Sequence, residues 1–341
     1  MSGTRSARAS RRLASGVVAL TLLAFAGWWW ARPADAAPSD AARVIARMRT
    51  AATNTDFTGT VAVTWRAASG AQKHATVDVR SAGGVLELTS TDNRVVLDEN
   101  GRTFVRNDLG WSSPVSEPPA RDKPAPDARW QLDLRHTQAL GRPVTVIVAR
   151  RADDAIAQRL VVDDASDLLV RRDVVDRDGA VERSFRFTSL VVQPTTAAVP
   201  VQAPTATERN AKAVRATPDG YHAPDRLGAG FVLVSRATAS DGFHLVYSDG
   251  LFSLSVLEQQ GDLDWDALPG VGIDTSVDGQ HARRFVQPLG SVVVWERDGM
   301  VFTCVSDAPG DVMGAALTGL DPDSSVVDRV VDYVLGPFSF D

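Results

Sequence analysis

The sequence predicts a mainly β protein of the α+β class, with a large curved antiparallel sheet followed by a smaller α+β domain. Segments in which apolar and polar residues alternate recur along most of the chain, as at Val61, Val63 and Trp65. Asp-Gly, Asn-Gly and Gly-Gly pairs separate these segments and are typical of tight hairpin turns. Successive strands joined by such short turns favour an antiparallel sheet over a parallel one.

Composition limits the number of domains and the class of partner. A chain of 341 residues with 44% hydrophobic and 23% charged residues is long enough for two domains with their own cores. Its formal net charge is −6, and the charge becomes more negative if the arginine-rich residues 1–36 are removed. An acidic protein lacks the basic face that phosphate contacts require, so we expect no nucleic-acid partner.

The amino terminus has the layout of an export signal. Arginines precede an apolar run over 13–30, and small residues at 34–36 provide a cleavage site. We therefore expect residues 1–36 to be a signal peptide and the mature chain to lie outside the cytoplasmic membrane, in the periplasm or cell-envelope space. An uncleaved anchor is the alternative, because the run over 13–30 is nearly long enough to span a bilayer and ends in three tryptophans.

Residues 37–193 are predicted to form the first domain, which opens with a helix capped by Ser39. The apolar stripe that this helix must lay on a sheet consists of Val44, Ile45, Met48, Ala51 and Ala52. The arginines predicted on its opposite side are Arg43, Arg47 and Arg49.

About ten strands are predicted to follow this helix. They lie at 57–66, 73–80, 85–90, 94–98, 102–107, 130–135, 144–151, 156–163, 168–176 and 181–192. Residues 113–128 between the two groups are rich in proline and cannot form a ladder. We expect a mobile loop there, and both plain disorder and a functional lid remain open.

Residues 194–222 are rich in proline, threonine and alanine, which predicts an extended linker to a second domain over 223–341. In that domain, strands at 230–236, 243–248 and 249–258 are predicted to form an antiparallel meander. The later predicted elements are a short helix at 262–268, strands at 271–277, 281–287, 291–297 and 301–306, and helices at 309–320 and 324–335.

The sequence contains no motif typical of catalysis. Its five histidines are scattered, with no two at metal-ligand spacing, and it has no nucleophile elbow, phosphate-binding loop or zinc motif. The aspartate pairs at 153–154 and 163–164 are explained by hairpin turns. Cys304 is the only cysteine, so no intramolecular disulfide can form, and we interpret it as a core residue. We expect no enzymatic activity, no catalytic residue, no metal and no cofactor.

Binding is the function that the pattern favours. A curved sheet that closes incompletely leaves an apolar concave face, which either packs on the helix or accepts an acyl chain. The aromatic residues predicted to line that groove are Trp65, Phe104, Trp111 and Trp130. The alternative is that they are ordinary core aromatics. The open edges of both sheets could also accept a partner strand.

Four stretches have a distinctive strand pattern: Val-Thr-Val-Ile-Val-Ala-Arg-Arg at 144–151, Arg-Leu-Val-Val-Asp-Asp at 159–164, Leu-Leu-Val-Arg-Arg-Asp at 168–173, and Phe-His-Leu-Val-Tyr-Ser-Asp-Gly-Leu-Phe-Ser-Leu-Ser-Val at 243–256. They resemble the RseB/MucB family of extracytoplasmic sigma-factor regulators. The resemblance implies that the amino-terminal sheet is a half-barrel similar to the LolA-type lipoprotein carriers, with the helix on its concave face.

The resemblance also implies a function. Members of that family bind the extracytoplasmic part of a membrane-spanning anti-sigma factor and shield it from regulated proteolysis, and lipid-like signals release it. Transferred here, the carboxy-terminal domain would contact the anti-sigma factor, with Leu251, Phe252 and Trp265 as candidate contact residues. The half-barrel would sense a lipid or lipoglycan. The rival hypothesis is a lipid or lipoprotein carrier or an envelope-assembly factor, which needs the groove but no protein partner.

Overall fold

The structure is a computed structural model that describes residues 39–90, 95–99, 102–107, 110–112, 124–139, 141–192, 212–213, 217–218, 220–239, 242–288 and 290–320. For residues 90, 95–99, 102–107, 110–112, 212–213 and 239 only the backbone is described. The predicted signal segment 1–36, its apolar run at 13–30 and the predicted helix at 324–335 lie outside these ranges. No helix within them is long and apolar enough to cross a membrane.

The first helix, α1 (Asp40–Asn54), forms as the sequence predicts. The Ser39 hydroxyl caps it by accepting a hydrogen bond from the Ala42 amide at 3.2 Å. Val44, Ile45 and Met48 are buried on the face that packs against the sheet. Arg49 is buried as well, which corrects its predicted place on the polar side of the helix. Arg49 follows Ile45 by four residues, so helical spacing brings it onto the apolar stripe.

The first sheet has eleven strands in the described part of the chain. They are β1 (Phe57–Arg66), β2 (Gln72–Ala82), β3 (Val85–Ser90), β4 (Val95–Glu99), β5 (Arg102–Asn107), β6 (Gly110–Ser112), β7 (Gln131–Ala139), β8 (Arg142–Arg150), β9 (Ile156–Asp163), β10 (Leu169–Val175) and β11 (Val181–Val192). Their spatial order is β6-β5-β4-β3-β2-β1-β11-β10-β9-β8-β7, and every pair is antiparallel. The short strand β6 is an addition to the predicted set.

One face of this sheet carries α1, and we call it the helix face. Ile147 of β8 and Leu160 of β9 lie there, in one cluster with Ile45 of α1. The alternate residues Val144, Val146 and Val148 of β8 form a separate cluster on the opposite face. This strand is therefore apolar on both sides, which explains its nearly continuous apolar run.

The second sheet has eight described strands. They are β12 (Lys212–Ala213), β13 (Val232–Ala239), β14 (Gly242–Ser248), β15 (Ser253–Gln260), β16 (Ile273–Val277), β17 (Gln280–Gln287), β18 (Gly290–Arg297) and β19 (Met300–Ser306), in the order β12-β13-β14-β15-β19-β18-β17-β16. All pairs are antiparallel. Helix α2 (Gly310–Leu317) follows, and its Val312, Met313 and Ala316 pack into the core.

The predicted fold class is confirmed, because the protein consists of two antiparallel sheets with few helices. The predicted meander is present as β13, β14 and β15. Its third strand begins at Ser253 instead of residue 249, because the preceding residues form a turn. The predicted helix at 262–268 is a single 3-10 turn, Trp265–Ala267. Strand β12 lies within the predicted linker and pairs with β13.

The two sheets share one hydrophobic cluster. One buried cluster contains residues that belong to both sheets and their helices. Ile45, Trp130 and Leu160 come from the part of the chain that forms the first sheet, and Phe252 and Met313 come from the part that forms the second. Burial of apolar surface is the main driving force of folding. Folding of either sheet is therefore expected to depend on the other.

Gly59 tests the packing of β1 against β11. A Cβ atom at this position would meet the carbonyl oxygen of Ser189 and lie 2.8 Å from ring carbons of Phe187. This is next to the irregularity in the β1–β11 register at Thr60. We predict that Gly59→Ala lowers the free energy of unfolding by about 1–3 kcal/mol, because the backbone must shift.

Urea denaturation of the purified protein measures this change. Thr58→Ser on the neighbouring residue is the matched control and should change stability by less than about 0.5 kcal/mol. Equal stabilities of the Gly59→Ala variant and the wild type would contradict the described packing.

Candidate functional site

The helix face of the first sheet is apolar beyond the area that α1 covers. Phe57, Val61, Val63 and Phe187 are buried there in a third cluster. The half-buried residues around this cluster form a surface that we call the open apolar face: Trp65, Val77, Leu86, Phe185, Leu190 and Val192. Such a surface has the chemistry to hold an acyl chain.

The aromatic residues predicted to line a groove are distributed over different places. Trp65 lies on the open apolar face. Trp130 is 3% exposed and belongs to the cluster shared by the two sheets. Phe104 is on β5, paired with Leu97, and Trp111 is on β6, paired with Arg106, but the side chains of both lie outside the described part. The structure does not bring Trp65 and Trp130 into one groove.

A shallow cavity of about 400 Å³ lies over the opposite face of the same strands. Seven of its ten lining residues have polar or charged side chains: the lining comprises Thr58, Gly59, Thr60, Asp78, Val79, Arg80, Glu87, Thr89, Ser189 and Val191. The Thr60 hydroxyl donates a hydrogen bond to Asp78 Oδ1 at 3.0 Å. Hydroxyl and charged groups do not favour an acyl chain, so the open apolar face is the better candidate for a lipid.

Two of the predicted partner-binding residues lie where the two sheets meet. Leu251 and Phe252 have no exposed surface. Phe252 packs edge-on against Trp130, with ring centroids 5.4 Å apart. We call this region the sheet junction; it joins the first sheet to residues 249–253 and 307–311. A partner could contact Leu251 or Phe252 only if the junction opened.

The third predicted partner-binding residue, Trp265, lies on the surface of the second sheet and is half-buried. Its ring packs against that of His281 at a tilt of 36°, with centroids 4.3 Å apart. The guanidinium of Arg283 lies 5.8 Å from the same ring. Trp265 is therefore accessible to a partner in this structure.

Charged side chains at the sheet junction are buried in pairs. Arg172 of β10 donates a hydrogen bond to Asp307 Oδ2 at 2.7 Å, and both side chains are almost fully buried. Asp307 Oδ1 accepts a hydrogen bond from the Ser253 amide at 2.7 Å. Removing charges from water costs free energy that close, well-directed partners must offset. Arg172 and Asp307 satisfy this condition by connecting the two sheets.

A second group of contacts lies beside this pair. Arg183 of β11 donates to the carbonyl oxygens of Asp307 at 3.0 Å and Ala308 at 2.8 Å. Glu182 accepts a hydrogen bond from the amide of Gly310, the first residue of α2, at 3.1 Å. A carboxylate at a helix N-terminus is favourable because the exposed amides there lack intrahelical partners. The first sheet thus anchors α2.

Asp249 lies at the centre of the junction. Its Oδ1 accepts hydrogen bonds from the amides of Leu251 at 2.9 Å and Phe252 at 2.7 Å, which closes the turn before β15. Its Oδ2 accepts a hydrogen bond from Trp130 Nε1 at 3.2 Å and lies 3.5 Å from Arg129 Nε. Burial nevertheless raises the pKa of Asp249 from 3.8 to about 6.

Arg49 is a further junction residue that the sequence reasoning misplaced. Its guanidinium donates a hydrogen bond to the Gly250 carbonyl, and burial lowers its pKa to about 10. The signal was present in the sequence, since Arg49 has helical spacing from Ile45. Neither Arg172 nor Asp307 was predicted to be buried.

The described residues offer no metal site. Within these ranges, no three histidine, cysteine, aspartate or glutamate side chains are grouped closely enough to hold a metal ion. The acidic and basic groups of the junction are engaged with one another or with backbone groups, which is typical of a structural contact.

Comparison with known proteins identifies a solved structure with a similar fold. No protein-family model matches the sequence, and no curated protein matches it significantly. The crystal structure of MucB matches 84% of this chain and 98% of its own, with a TM-score of 0.51 and 20% identity. The chain has the fold of MucB.

Structures of MucB with a partner match equally well. MucB in complex with MucA(peri) and the MucA/MucB complex of Pseudomonas aeruginosa each match over 84% of this chain and 100% of theirs, with a TM-score of 0.50 and 18% identity. Since 84% of the chain is covered, the likeness to MucB includes both sheets. The fold implied by the sequence resemblance is therefore confirmed.

The buried pair at the junction leads to a stability prediction. Arg172→Met leaves Asp307 buried without its cationic partner, so we expect the free energy of unfolding to fall by about 3–5 kcal/mol. The matched control is Arg47→Met, which removes an exposed ion pair with Asp167 at 3.1 Å and should cost less than about 1 kcal/mol. Chemical denaturation measures both, and equal losses would show that burial of the pair is unimportant.

Asp249 leads to a pH-dependent prediction. Because its pKa is raised in the folded state, the folded protein binds a proton more tightly than the unfolded chain. The resulting stabilisation is present below pH 3.8 and is lost as the pH rises through about 6. Asp249→Asn removes this titration. Between pH 4 and pH 7, we therefore expect the wild type to lose on the order of 3 kcal/mol of stability relative to the Asp249→Asn variant.

Urea denaturation of both proteins at several pH values provides the measurement, and other titrating groups cancel in the difference. A difference that shifts in favour of the wild type toward pH 7 would mean that the pKa of Asp249 is lowered and would contradict the prediction.

Proposed function

We propose that this protein is an exported regulator that binds the extracytoplasmic part of a membrane-spanning anti-sigma factor. By holding that segment it would limit the proteolysis of the anti-sigma factor and so tune the activity of a sigma factor in an envelope stress response. The observation that carries the proposal is the match to MucB in its complexes with MucA, which extends over both sheets.

The proposed division of the chain follows the predicted boundaries. Residues 1–36 direct export or anchor the protein, 37–193 form the ligand-sensing domain, and 223–341 contact the anti-sigma factor. The half-buried and accessible position of Trp265 supports the last assignment. We propose a binding role without catalysis, because the buried charged groups of the described junction have structural partners.

The open apolar face is the proposed site for a lipid or lipoglycan. It contains half-buried Val77, Leu86 and Phe185 beside a buried apolar cluster. Burying such side chains against an acyl chain is favourable by about 25 cal/mol per Å² of apolar surface. Binding of a lipid there would provide the signal that releases the anti-sigma factor.

The same face favours a second candidate function. A lipid or lipoprotein carrier, or an envelope-assembly factor, needs an apolar surface for an acyl chain and no protein partner. The two candidates differ in what the protein retains when it is purified from its own membrane fraction.

The experiment measures binding of the full chain to the purified extracytoplasmic segment of an anti-sigma factor from the same organism. We expect a dissociation constant of about 1 μM or lower and slower cleavage of the segment by the protease that normally degrades it. Retention of a lipid without any binding of the segment would favour the carrier and contradict the proposed regulator.

A matched pair of variants tests the lipid site. Val77→Arg places a charge on the open apolar face and should abolish the effect of added lipid on the complex. Thr76→Arg introduces the same charge at the exposed neighbour on the opposite face and should leave that effect intact. If added lipid affects the complexes of both variants equally, the open apolar face is not the lipid site.

A further inference from the structure

The second sheet ends at β16, which pairs with β17 on one side and with no other described strand on the other. An edge strand presents backbone amide and carbonyl groups that another extended chain can bind. β16 also lacks three features that commonly block such edges. Its five residues contain neither lysine nor proline, and its register with β17 is regular.

The turn between β16 and β17 determines which backbone groups face outward. Asp278 and Gly279 have φ values of 49° and 78°, and they connect the directly paired residues Val277 and Gln280. This is the two-residue hairpin turn whose flanking residues exchange both backbone hydrogen bonds. Hydrogen-bonded and non-hydrogen-bonded pairs then alternate along an antiparallel ladder.

Thr275 is therefore hydrogen-bonded to β17, like Val277. Asp274 and Ser276 occupy the non-hydrogen-bonded pairs opposite Arg283 and His281. Their amide and carbonyl groups consequently point to the open side of the sheet. This edge offers the amides and carbonyls of two alternate residues, which is the arrangement that an added strand requires.

The side chains around this edge determine which segment would fit. Asp274 is 68% exposed, and its Oδ1 makes ion pairs with Arg283 Nε at 3.1 Å and His281 Nε2 at 3.5 Å. An added strand would place a side chain directly across from Asp274, where a lysine or arginine is the most favourable partner. The negative net charge of the chain, −6, also favours a basic segment.

The other face of β16 is apolar. Ile273 and Thr275 are half-buried, and Val277 is 6% exposed. Val271, just before the strand, is 77% exposed. Alternate residues of an added strand would lie beside these side chains, where β-branched and other apolar residues pair well.

We propose that the outer edge of β16 binds an extended polypeptide segment in which lysine or arginine alternates with β-branched or apolar residues. The segment pairs with Asp274 and Ser276 through its backbone, and its basic side chains lie near Asp274. Trp265 packs against His281 of β17, on the same face as Asp274. The identity of the natural partner rests on the proposed function, whereas the pairing does not.

A synthetic probe tests the pairing directly. It is a labelled twelve-residue peptide in which lysine alternates with valine and threonine, titrated against the full chain. We expect saturable binding together with slower hydrogen exchange at the amides of Asp274 and Ser276. The same peptide methylated on alternate backbone nitrogens should bind at least about ten-fold more weakly, and so should a version with glutamate in place of lysine.

Proline variants separate the outward groups from the inward ones. Ser276→Pro removes an outward amide and should weaken peptide binding at least about ten-fold while the protein stays folded, since proline is tolerated on an exposed edge. Ser276→Ala keeps the amide and should bind like the wild type. Thr275→Pro removes an amide bonded to β17, so it should lower the midpoint of thermal unfolding.

Three outcomes would overturn the inference. They are equal binding of the methylated and unmethylated peptides, no binding up to about millimolar concentration, and protection from exchange confined to other strands. If the Ser276→Pro variant binds an anti-sigma segment as tightly as the wild type, that segment does not bind at the β16 edge, and the proposed function stands. Peptide binding at the edge without any anti-sigma binding would reject the proposed function instead.

Discussion

The ion pair between Arg172 and Asp307 is the contact on which the arrangement of the two sheets depends. Both charges are withdrawn from water, and their ion pair exists only while the sheets meet. Apolar burial alone is non-directional, so it permits many ways of placing one sheet on another. Directed contacts from Arg172 to Asp307, and from Arg183 to the carbonyls that follow, select one of them.

This junction determines which surfaces remain for binding. Trp130 and Phe252 pack against each other in the junction, although large aromatic residues often mediate recognition of a partner. The surfaces left available differ in chemistry. The open apolar face offers side chains such as Val77 and Leu86, and the β16 edge offers backbone groups beside Asp274. The proposed lipid site and the proposed polypeptide site are therefore separate surfaces.

The polar groups of the junction show how buried charge can serve structure without catalysis. Asp249 has a raised pKa, which is often a sign of an active site. Here the carboxylate accepts hydrogen bonds from two backbone amides and from Trp130, and it closes the turn that leads into β15. The pKa is raised because burial between the two sheets removes the charged carboxylate from water.

Local pattern was sufficient for much of the fold. The strands of both sheets, the cap of α1 at Ser39 and the Asp-Gly turns follow from alternation, capping and turn chemistry, which act over a few residues. The helical spacing from Ile45 to Arg49 also contained the information that Arg49 is buried. The turn type at Asp278 and Gly279 even determines which amides of β16 face outward.

The sequence by itself thus determined the fold class and most strands. Only the tertiary structure decided that Arg172, and not Arg171, faces Asp307. An irregularity in the β9–β10 register between Leu169 and Arg171 changes which residues share a face, and alternation cannot reveal it. It also decided that Trp130, Leu251 and Phe252 are buried together. They are buried because segments more than a hundred positions apart in the chain come together. No local pattern encodes such a contact.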